Sequence, residues 1–384
     1  MTLSVNIKKR LGRHRKSNAS EGASLSGQSD GKTSGFLLDI EFAALPGVTI
    51  LFGASGSGKT TTLKSIAGIL RPDAGRVAIG EKTLFDSERA IDLPIRQRGV
   101  GYVFQNLALF PHLSARENVA FGMTNTGRRD RRDRAIDLLR AFHVEHTAER
   151  QPRQISGGEA QRVAFARALA SGPRILLLDE PLSAIDEATK LAIISDLKAL
   201  NRELRLPVIY VTHSREEAMT LGERVIVFEH GRIVAEGEPL EVFSAPVRAS
   251  VARLTGVENL FPGRITATHA AGGTMTVEIQ DASGVCQVEV PFGREAVGEQ
   301  VRVAVPSGDI LLALDEPQGT SARNRLCGRI TLIEDKGART LASVTSGVLW
   351  RASLTRQAVN ELNLYPGKQV WLAFKTHSCY LLDE

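Results

Sequence analysis

The spacing of apolar residues predicts that the first part of the chain alternates strands with helices. Short apolar runs typical of buried strands occur at 48–52, 175–178 and 207–211. Apolar residues three or four positions apart predict helices over 61–70 and 187–204. Such alternation favours a parallel sheet that is covered by helices on both faces. Weaker patterns predict strands at 3–7, 36–42, 75–79, 225–228 and 232–235 and helices at 128–140 and 159–171.

Beyond about residue 257 the helical spacing gives way to short alternating strands, and the sequence repeats itself. Gly-Arg-Ile-Thr at 263–266 recurs at 328–331, and Gly-x-Gln-Val at 298–301 recurs at 367–370. Because the order of the two motifs is kept, we expect two related β-rich halves. The helical and the β-rich parts of the chain should therefore be separate domains.

Composition is ordinary for a globular protein, with 42% hydrophobic and 24% charged residues in a chain of 384. That length suits two or three domains, and no run approaches the ~18 apolar residues of a membrane span. Cys286, Cys327 and Cys379 lie too far apart for a disulfide framework or a metal motif. The net charge of +5 comes largely from local runs. We therefore expect no nucleic-acid partner, and we read the Ser/Gly-rich segment 12–35 as a flexible insertion.

Residues 53–60 read Gly-Ala-Ser-Gly-Ser-Gly-Lys-Thr and match the phosphate-loop pattern at every fixed position. A predicted strand precedes them and a predicted helix follows, which is the context that the motif requires. The glycines let backbone N–H groups converge on phosphate oxygens at a helix N-terminus. Lys59 should contact the β- and γ-phosphates of ATP, and the Thr60 hydroxyl should bind Mg²⁺. The predicted nucleotide-binding residues are Gly53, Ala54, Ser55, Gly56, Ser57, Gly58, Lys59, Thr60 and Thr61.

Two acids and a histidine follow other predicted strands. Asp179 and Glu180 come directly after four apolar residues, which suits an Mg²⁺ ligand and a group that orients the attacking water. His213 follows the strand at 207–211 and is placed to reach the γ-phosphate. We therefore predict that Glu180 and His213 are catalytic and that Asp179 serves the metal.

At residues 155–159 the sequence Ile-Ser-Gly-Gly-Glu resembles the signature of the ATP-binding cassette (ABC) ATPases. Ile stands in the usual Leu place and Glu in the common Gln place. In that family the turn belongs to a second subunit and caps the γ-phosphate bound to the first, so that two subunits sandwich two ATP molecules. The resemblance thus assigns this role to Ser156, Gly157, Gly158 and Glu159.

The resemblance extends to the other motifs of the family. Gln105 matches the glutamine loop that touches Mg²⁺ and relays to the membrane subunits, and the resemblance makes it a third catalytic candidate. Asp186 matches the loop that crosses the dimer interface, and His213 matches the switch histidine. The family usually stacks adenine on an aromatic residue of an early strand, for which Phe36 is the candidate. Packing of Phe36 in the core is the alternative.

The sequence Ser-Ala-Arg-Asn at 321–324 resembles the small molybdate-binding (TOBE/Mop) domain at the C-terminus of molybdate importer ATPases. That domain also carries a late lysine followed by small polar residues, here at 375–378. A tetrahedral oxyanion needs several N–H and O–H donors, positive charge and no carboxylate. The first repeat has Pro-Ser-Gly-Asp at 306–309 instead. The candidate oxyanion residues are Ser321, Arg323, Asn324, Lys375 and Ser378.

Together these resemblances imply an α/β P-loop NTPase domain of the ABC ATPase type with a helical subdomain over 1–258. An all-β, OB-like region over 259–384 should follow, with its Mop-like part at about 319–384. The implied protein is a homodimeric ATPase that binds ATP, Mg²⁺ and molybdate. It would work at the cytoplasmic face of the membrane with two transmembrane permease subunits and an external molybdate-binding protein.

Three alternatives remain open at this point. The same machine could import sulfate, iron or a sugar, although the stretch 321–324 argues against that. A soluble ABC ATPase acting on DNA or ribosomes often has two cassettes or a long coiled coil, and this chain has one phosphate loop and no heptads. A molybdate-storage protein would not need Asp179, Glu180 and His213. Molybdate and tungstate are not distinguished.

Overall fold

The computed structural model describes residues 1–12, 35–123, 127–183, 185–244, 249–254, 257–337 and 339–382. It divides into two compact units, Met1–Pro239 and Leu240–Glu384. The predicted insertion 12–35 lies almost entirely outside the described residues. The strands of the first unit are β1 (Leu3–Leu11), β2 (Phe36–Ala44), β3 (Gly47–Gly53), β4 (Ala74–Ile79), β5 (Lys82–Asp86), β6 (Ile91–Asp92), β7 (Val100–Val103), β8 (Ile175–Asp179), β9 (Pro207–Thr212), β10 (Arg224–Glu229) and β11 (Arg232–Gly237). Its helices are α1 (Lys59–Ala67), α2 (Ile95–Arg98), α3 (Ala115–Ala120), α4 (Arg128–Ala141), α5 (Gly157–Ala170), α6 (Glu187–Leu204) and α7 (Arg215–Leu221).

A six-stranded sheet in the order β11-β10-β3-β9-β8-β7 forms the centre of the first unit. All neighbours in it are parallel except β10 and β11, which form the predicted hairpin. Strand β8 is buried along its whole length, and its residues alternate between the two faces. Leu177 packs in one core cluster, whereas Leu176 and Leu178 lie with Leu169 of α5 and Leu197 of α6. The predicted parallel sheet with two covered faces is thus confirmed.

A second, antiparallel sheet in the order β2-β1-β4-β5-β6 packs against the central sheet. One apolar cluster contains the inner residues of both sheets together with Leu63 and Ile66 of α1. Strand β1 is longer than predicted, because it pairs with β2 from Leu3 opposite Ala44 to Leu11 opposite Phe36. The sequence indicated several of these strands but did not predict that they form a separate sheet.

Helices α3, α4 and α5 contact one another and form the predicted helical subdomain. Phe142 and Phe165 stack in its interior with their ring centroids 5.9 Å apart. Helix α1 ends earlier than predicted because Gly68 adopts a φ of 80°. Helix α6 has the predicted bounds. Among the helices of the described residues, none combines the length and the apolarity that a membrane span requires.

In the second unit, three helices and ten strands are described. The helices are α8 (Pro239–Ser244), which starts at the boundary, α9 (Ala249–Leu254) and α10 (Arg356–Glu361). The strands are β12 (Asn259–His269), β13 (Thr274–Asp281), β14 (Gly284–Pro291), β15 (Gln300–Val305), β16 (Leu311–Ala313), β17 (Asn324–Asp335), β18 (Thr340–Ser346), β19 (Val348–Leu354), β20 (Gln369–Phe374) and β21 (Tyr380–Leu382).

The internal repeat appears as two five-stranded sheets of matching order, β14-β13-β12-β15-β21 and β19-β18-β17-β20-β16. Strands β12 and β17 even carry a register shift at the corresponding place, after Ile265 and after Ile330. The last strand of each half pairs with the other half, since β16 pairs with β20 and β21 with β15. One core joins both sheets around the fully buried Trp350. The predicted β-rich halves therefore form a single folded unit.

The compact units divide at residue 239, whereas the change of sequence pattern suggested a boundary after residue 258. The segment between these positions contains α9, and its Ala252 packs with Val257, Ala304 and Leu382. The start of β12 at Asn259 marks the change from helices to strands, and the apolar contacts of α9 place the preceding segment with the β-rich unit.

Candidate active site

The phosphate loop joins the end of β3 to the start of α1. Within it, the Lys59 ammonium donates hydrogen bonds to the carbonyl oxygens of Gly53 and Ala54, both at 2.8 Å. Burial lowers the pKa of Lys59, and the charges of Glu180 and Asp179 oppose that shift. A lysine held beside the backbone N–H groups of a helix N-terminus suits phosphate oxygens. The other predicted nucleotide-binding residues of this loop and the first turn of α1 are Ser55, Gly56, Ser57, Gly58, Thr60 and Thr61.

Asp179 ends β8, and its carboxylate faces the phosphate loop. Thr60 Oγ1 donates to Asp179 Oδ1 at 2.8 Å, and the Tyr102 hydroxyl donates to Oδ2 at 3.0 Å. Burial raises the pKa of Tyr102 far above its ordinary value, and the charge of Asp179 adds to the shift, so the phenol remains a donor. Sequence reasoning missed Tyr102, because no element was predicted there and a single tyrosine carries no motif.

Glu180 follows Asp179 with a left-handed φ of 44°, and its N–H donates to the carbonyl of Val211 at 3.1 Å. A glutamate in this backbone region is strained, so its position is fixed by the surrounding structure. Gln105 Nε2 and His213 Nδ1 each lie 3.5 Å from Glu180 Oε2. The structure thus brings together the three residues predicted to be catalytic.

The buried carboxylate of Glu217 holds the end of β9, directly before His213. Glu217 Oε2 accepts hydrogen bonds from Thr212 Oγ1 at 2.7 Å and from the Tyr210 hydroxyl at 2.9 Å. Lys190 of α6 forms an ion pair with Glu217 Oε1 at 3.5 Å. Since Thr212 precedes His213, Glu217 connects the histidine loop to α6. Sequence reasoning missed Glu217; the signal available was an acid one helical turn after His213.

The predicted signature residues form the N-terminus of α5. Ser156 caps the helix by accepting from the backbone N–H of Glu159 at 3.3 Å, and Glu159 Oε2 accepts from the Ser156 N–H at 2.7 Å. A side chain on Gly157 would meet open space, whereas a Cβ on Gly158 would come within 2.6 Å of Thr189 Cγ2. The turn is therefore exposed at Gly157 and closely packed at Gly158.

Asp186 and Phe36 lie at different edges of this unit. Asp186 caps α6 by accepting from the backbone N–H of Thr189 at 3.0 Å, next to the signature turn. The ring of Phe36 packs against the core cluster and lies beside Gly58 of the phosphate loop. Phe36 therefore packs in the core and also borders the phosphate loop. Its contact with adenine stays a prediction.

In the second unit, Arg323 and Asn324 stand at the start of β17. Arg323 Nη1 lies 3.3 Å from Glu289 Oε2, so a carboxylate is present where none was expected. Asn324 is buried; its Nδ2 donates to the Glu289 carbonyl at 2.8 Å, and its Oδ1 accepts from the Glu289 N–H at 2.7 Å. The amide of Asn324 therefore holds β14, and its role as an oxyanion donor stays a prediction.

The first half of the unit supports this structural reading of Asn324. Asn259, the corresponding residue, binds Arg351 of β19 in the same way, donating to its carbonyl at 2.9 Å and accepting from its N–H at 2.7 Å. Of the remaining candidates, Ser321 and Lys375 are exposed and Ser378 is half-buried. Asn324 pairs with Phe374, so Lys375 follows beside Arg323 at the end of the two strands. These side chains remain available to an anion.

A phosphate loop with a buried lysine, facing an acid pair at the end of a parallel strand, defines a P-loop NTPase. Family models match the description "ABC transporter" at residues 39–183 and "TOBE domain" at residues 320–381. The solved dimeric structure of MJ0796, a bacterial ABC transporter cassette, is 30% identical and covers 62% of this chain and 99% of its own, with a TM-score of 0.50.

Relatives with known names cover nearly the whole chain. The molybdenum import ATP-binding protein ModC of Rhizobium meliloti is 39% identical, over 89% of this chain and 95% of its own. The ModC protein of Haemophilus influenzae is 36% identical, over 86% and 93%. The molybdate/tungstate import ATP-binding protein WtpC of Pyrococcus abyssi is 38% identical, over 85% and 90%. The chain belongs to the ABC transporter family, as an ATP-binding protein that joins an ABC ATPase cassette to a TOBE domain.

Proposed function

We propose that the chain hydrolyses ATP to power the import of molybdate, as a homodimer at the cytoplasmic face of the membrane with two permease subunits and an external binding protein. The convergence of Gln105 and His213 on Glu180 beside the phosphate loop carries the ATPase part of this proposal. The relatives align with both units of the chain, and their names support molybdate or tungstate as the imported anion. Loss of molybdate uptake on deletion of the gene is the expected result.

The residues present fit the cofactor of an ATPase. The Thr60 hydroxyl and the buried Asp179 carboxylate lie 2.8 Å apart, which is the oxygen donor set that Mg²⁺ prefers. With Gln105 they would hold the ion, which supplies charge neutralisation at the phosphates. The Lys59 ammonium and the loop N–H groups bind and orient the β- and γ-phosphates.

Hydrolysis requires a water molecule to be aligned with the γ-phosphate and to lose a proton. Glu180 is half-buried and rigidly placed by its backbone hydrogen bond, so its carboxylate is suited to accept that proton. Gln105 and His213 contact the same oxygen of Glu180, and they orient the carboxylate and the water. Glu217 keeps the strand end before His213 in place, and it is therefore a positioning residue.

In this proposal, the signature turn does not contact the ATP bound to its own subunit. Ser156, Gly157 and Gly158 would face the γ-phosphate held by the partner subunit, using the open N–H groups of the α5 N-terminus. Asp186 lies beside this turn and would cross the same interface. ATP then favours the closed pair of subunits, because each nucleotide completes its site only in the dimer.

We also propose that each chain binds one oxyanion, in the second half of the β-rich unit. Arg323, Lys375, Ser321 and Ser378 supply the donors, and Glu289 would give up its contact with Arg323 when the anion binds. At the corresponding positions, the first half has acidic residues in place of basic and polar donors. Glu258 stands in the place of Arg323 there, and 306–309 puts Pro and Asp in the places of Lys375 and Ser378.

Arg323→Ala in the full chain should weaken molybdate binding by about tenfold or more, since a charge-assisted contact to the anion is lost. Isothermal titration with molybdate, tungstate and sulfate measures the affinity and the stoichiometry. We expect one site per chain with sulfate weakest.

Arg329→Ala is the matched control. Arg329 lies on β17, which begins directly after Arg323, but its guanidinium binds the Gly367 carbonyl at 2.8 Å, away from the candidate site. Equal affinities of wild type and Arg323→Ala for molybdate would refute this site, and two anions per chain would refute the asymmetry between the halves.

A further inference from the structure

The signature turn carries a negative charge that conflicts with the role proposed for it. Glu159 is the third residue of α5, and both of its oxygens are occupied. Oε2 accepts hydrogen bonds from the Ser156 N–H at 2.7 Å and from the Ser156 hydroxyl at 2.9 Å. Oε1 lies 2.7 Å from Nε2 of His146, a residue of the short helical turn Glu145–Thr147.

For folding, this acid is favourable, because a carboxylate stabilises the N-terminus of a helix and closes the capping box. The hydrogen bond from the Ser156 N–H, followed by that of His146, lowers the pKa of Glu159 to about 2. The side chain is therefore ionised at neutral pH. For nucleotide binding, the same charge is unfavourable, because a γ-phosphate approaching Ser156 and Gly157 would meet a fixed anion.

We propose that His146 is a positioning residue for ATP, whose ring nitrogen holds the Glu159 carboxylate on the cap by a hydrogen bond, so that the turn accepts a phosphate. This inference rests on the proposed function, in which the turn faces the nucleotide of the partner subunit.

The other basic residues around the signature turn pair with a different acid, so His146 is the residue that holds Glu159. The turn opens into a concave pocket of about 400 Å³ that also includes His143, Arg162 and Asp186. His143 Nε2 and Arg162 Nη1 instead lie 4.0 and 3.3 Å from the carboxylate of Asp196 on α6. Asp186 caps α6 and adds a second negative charge to the pocket. Of these three basic residues, His146 is the one in hydrogen-bond contact with Glu159.

The test compares ATP hydrolysis by the purified full chain and three variants. His146→Gln should raise the KM for ATP by about threefold to tenfold, with little change in kcat, because the Glu159 carboxylate near the phosphate is no longer held by the ring nitrogen. Combined with Glu159→Gln, which keeps an oxygen acceptor for the cap but removes the charge, His146→Gln should have no further effect. This double-mutant cycle separates charge balance from packing.

Substitution by a permanent cation provides the second readout. His146→Arg, whose guanidinium can also donate to the Glu159 carboxylate, should keep the KM for ATP close to that of wild type. His143→Gln is the matched control, since this histidine lies in the same pocket but pairs with Asp196.

Two outcomes would overturn the inference. One is an unchanged KM in His146→Gln. The other is an equal rise of KM with and without Glu159→Gln, which would mean that His146 only packs against the turn. A wild-type chain that does not hydrolyse ATP would instead refute the proposed function, whereas a hydrolysing chain with an insensitive KM refutes the role of His146 alone.

Discussion

Glu180→Gln is expected to lower the rate of ATP hydrolysis by about 10²- to 10⁴-fold, the usual contribution of a positioned general base. The amide keeps the size and polarity of the side chain but accepts no proton at neutral pH. Thr60, Lys59 and Asp179 are untouched by the substitution, so ATP binding should persist. Steady-state hydrolysis and equilibrium binding of ATP, measured on the same preparations, test the two halves of this expectation.

The variant should also accumulate as an ATP-bound dimer, since the nucleotide still completes both sites but is no longer consumed. Light scattering with and without ATP measures the dimer. Glu236→Gln is the matched control, because Glu236 pairs with Arg224 at 3.0 Å on the outer hairpin. A rate for Glu180→Gln close to that of wild type would remove Glu180 from its catalytic role.

The sequence predicted the elements of this site that depend on short, fixed spacing. The phosphate loop, the acid pair and the signature turn each lie within eight consecutive residues or fewer, and their local structure follows from their own residues. The parallel sheet followed from the alternation of buried runs with amphipathic segments. In both cases the information is local along the chain, so no knowledge of tertiary contacts was needed.

The partners of these residues could not be predicted, because they come from distant parts of the chain. Asp179 meets Thr60 across 119 positions and Tyr102 across 77. No pattern in the sequence shows that His146 reaches Glu159, or that Glu289 reaches Arg323. For Asn324 the residue type suggested a ligand donor, but a buried amide first has to satisfy its own hydrogen bonds, and the β14 backbone does so.

The hairpin turn between β10 and β11 is a further contact with the phosphate loop that the sequence did not reveal. It consists of His230 and Gly231, which have left-handed φ angles of 46° and 81°. The Gly231 N–H donates to the Ser57 carbonyl at 3.0 Å, and the Gly231 carbonyl accepts from the Asp39 N–H at 2.8 Å. One glycine thus connects the phosphate loop to β2.

Gly231→Ala should therefore damage both stability and nucleotide binding. The new Cβ would overlap the carbonyl oxygen of Leu37 and lie 3.2 Å from the Leu38 Cα, so the backbone must shift. With the cost of a left-handed alanine added, we expect the free energy of unfolding to fall by about 3 kcal/mol. Displacement of Ser57 should weaken ATP binding by about tenfold, since small misplacements of a binding loop have large effects.

Gly172→Ala separates the overlap from the backbone strain. Gly172 also has a left-handed φ, at 61°, but a Cβ there meets nothing within 4 Å. It should lose only about 1 kcal/mol of unfolding free energy and leave ATP affinity unchanged. Urea unfolding gives the free energies, and titration with ATP gives the affinities. If Gly231→Ala matched Gly172→Ala in both measurements, the hairpin turn would not support the phosphate loop, and the loop would hold its shape through β3 and α1 alone.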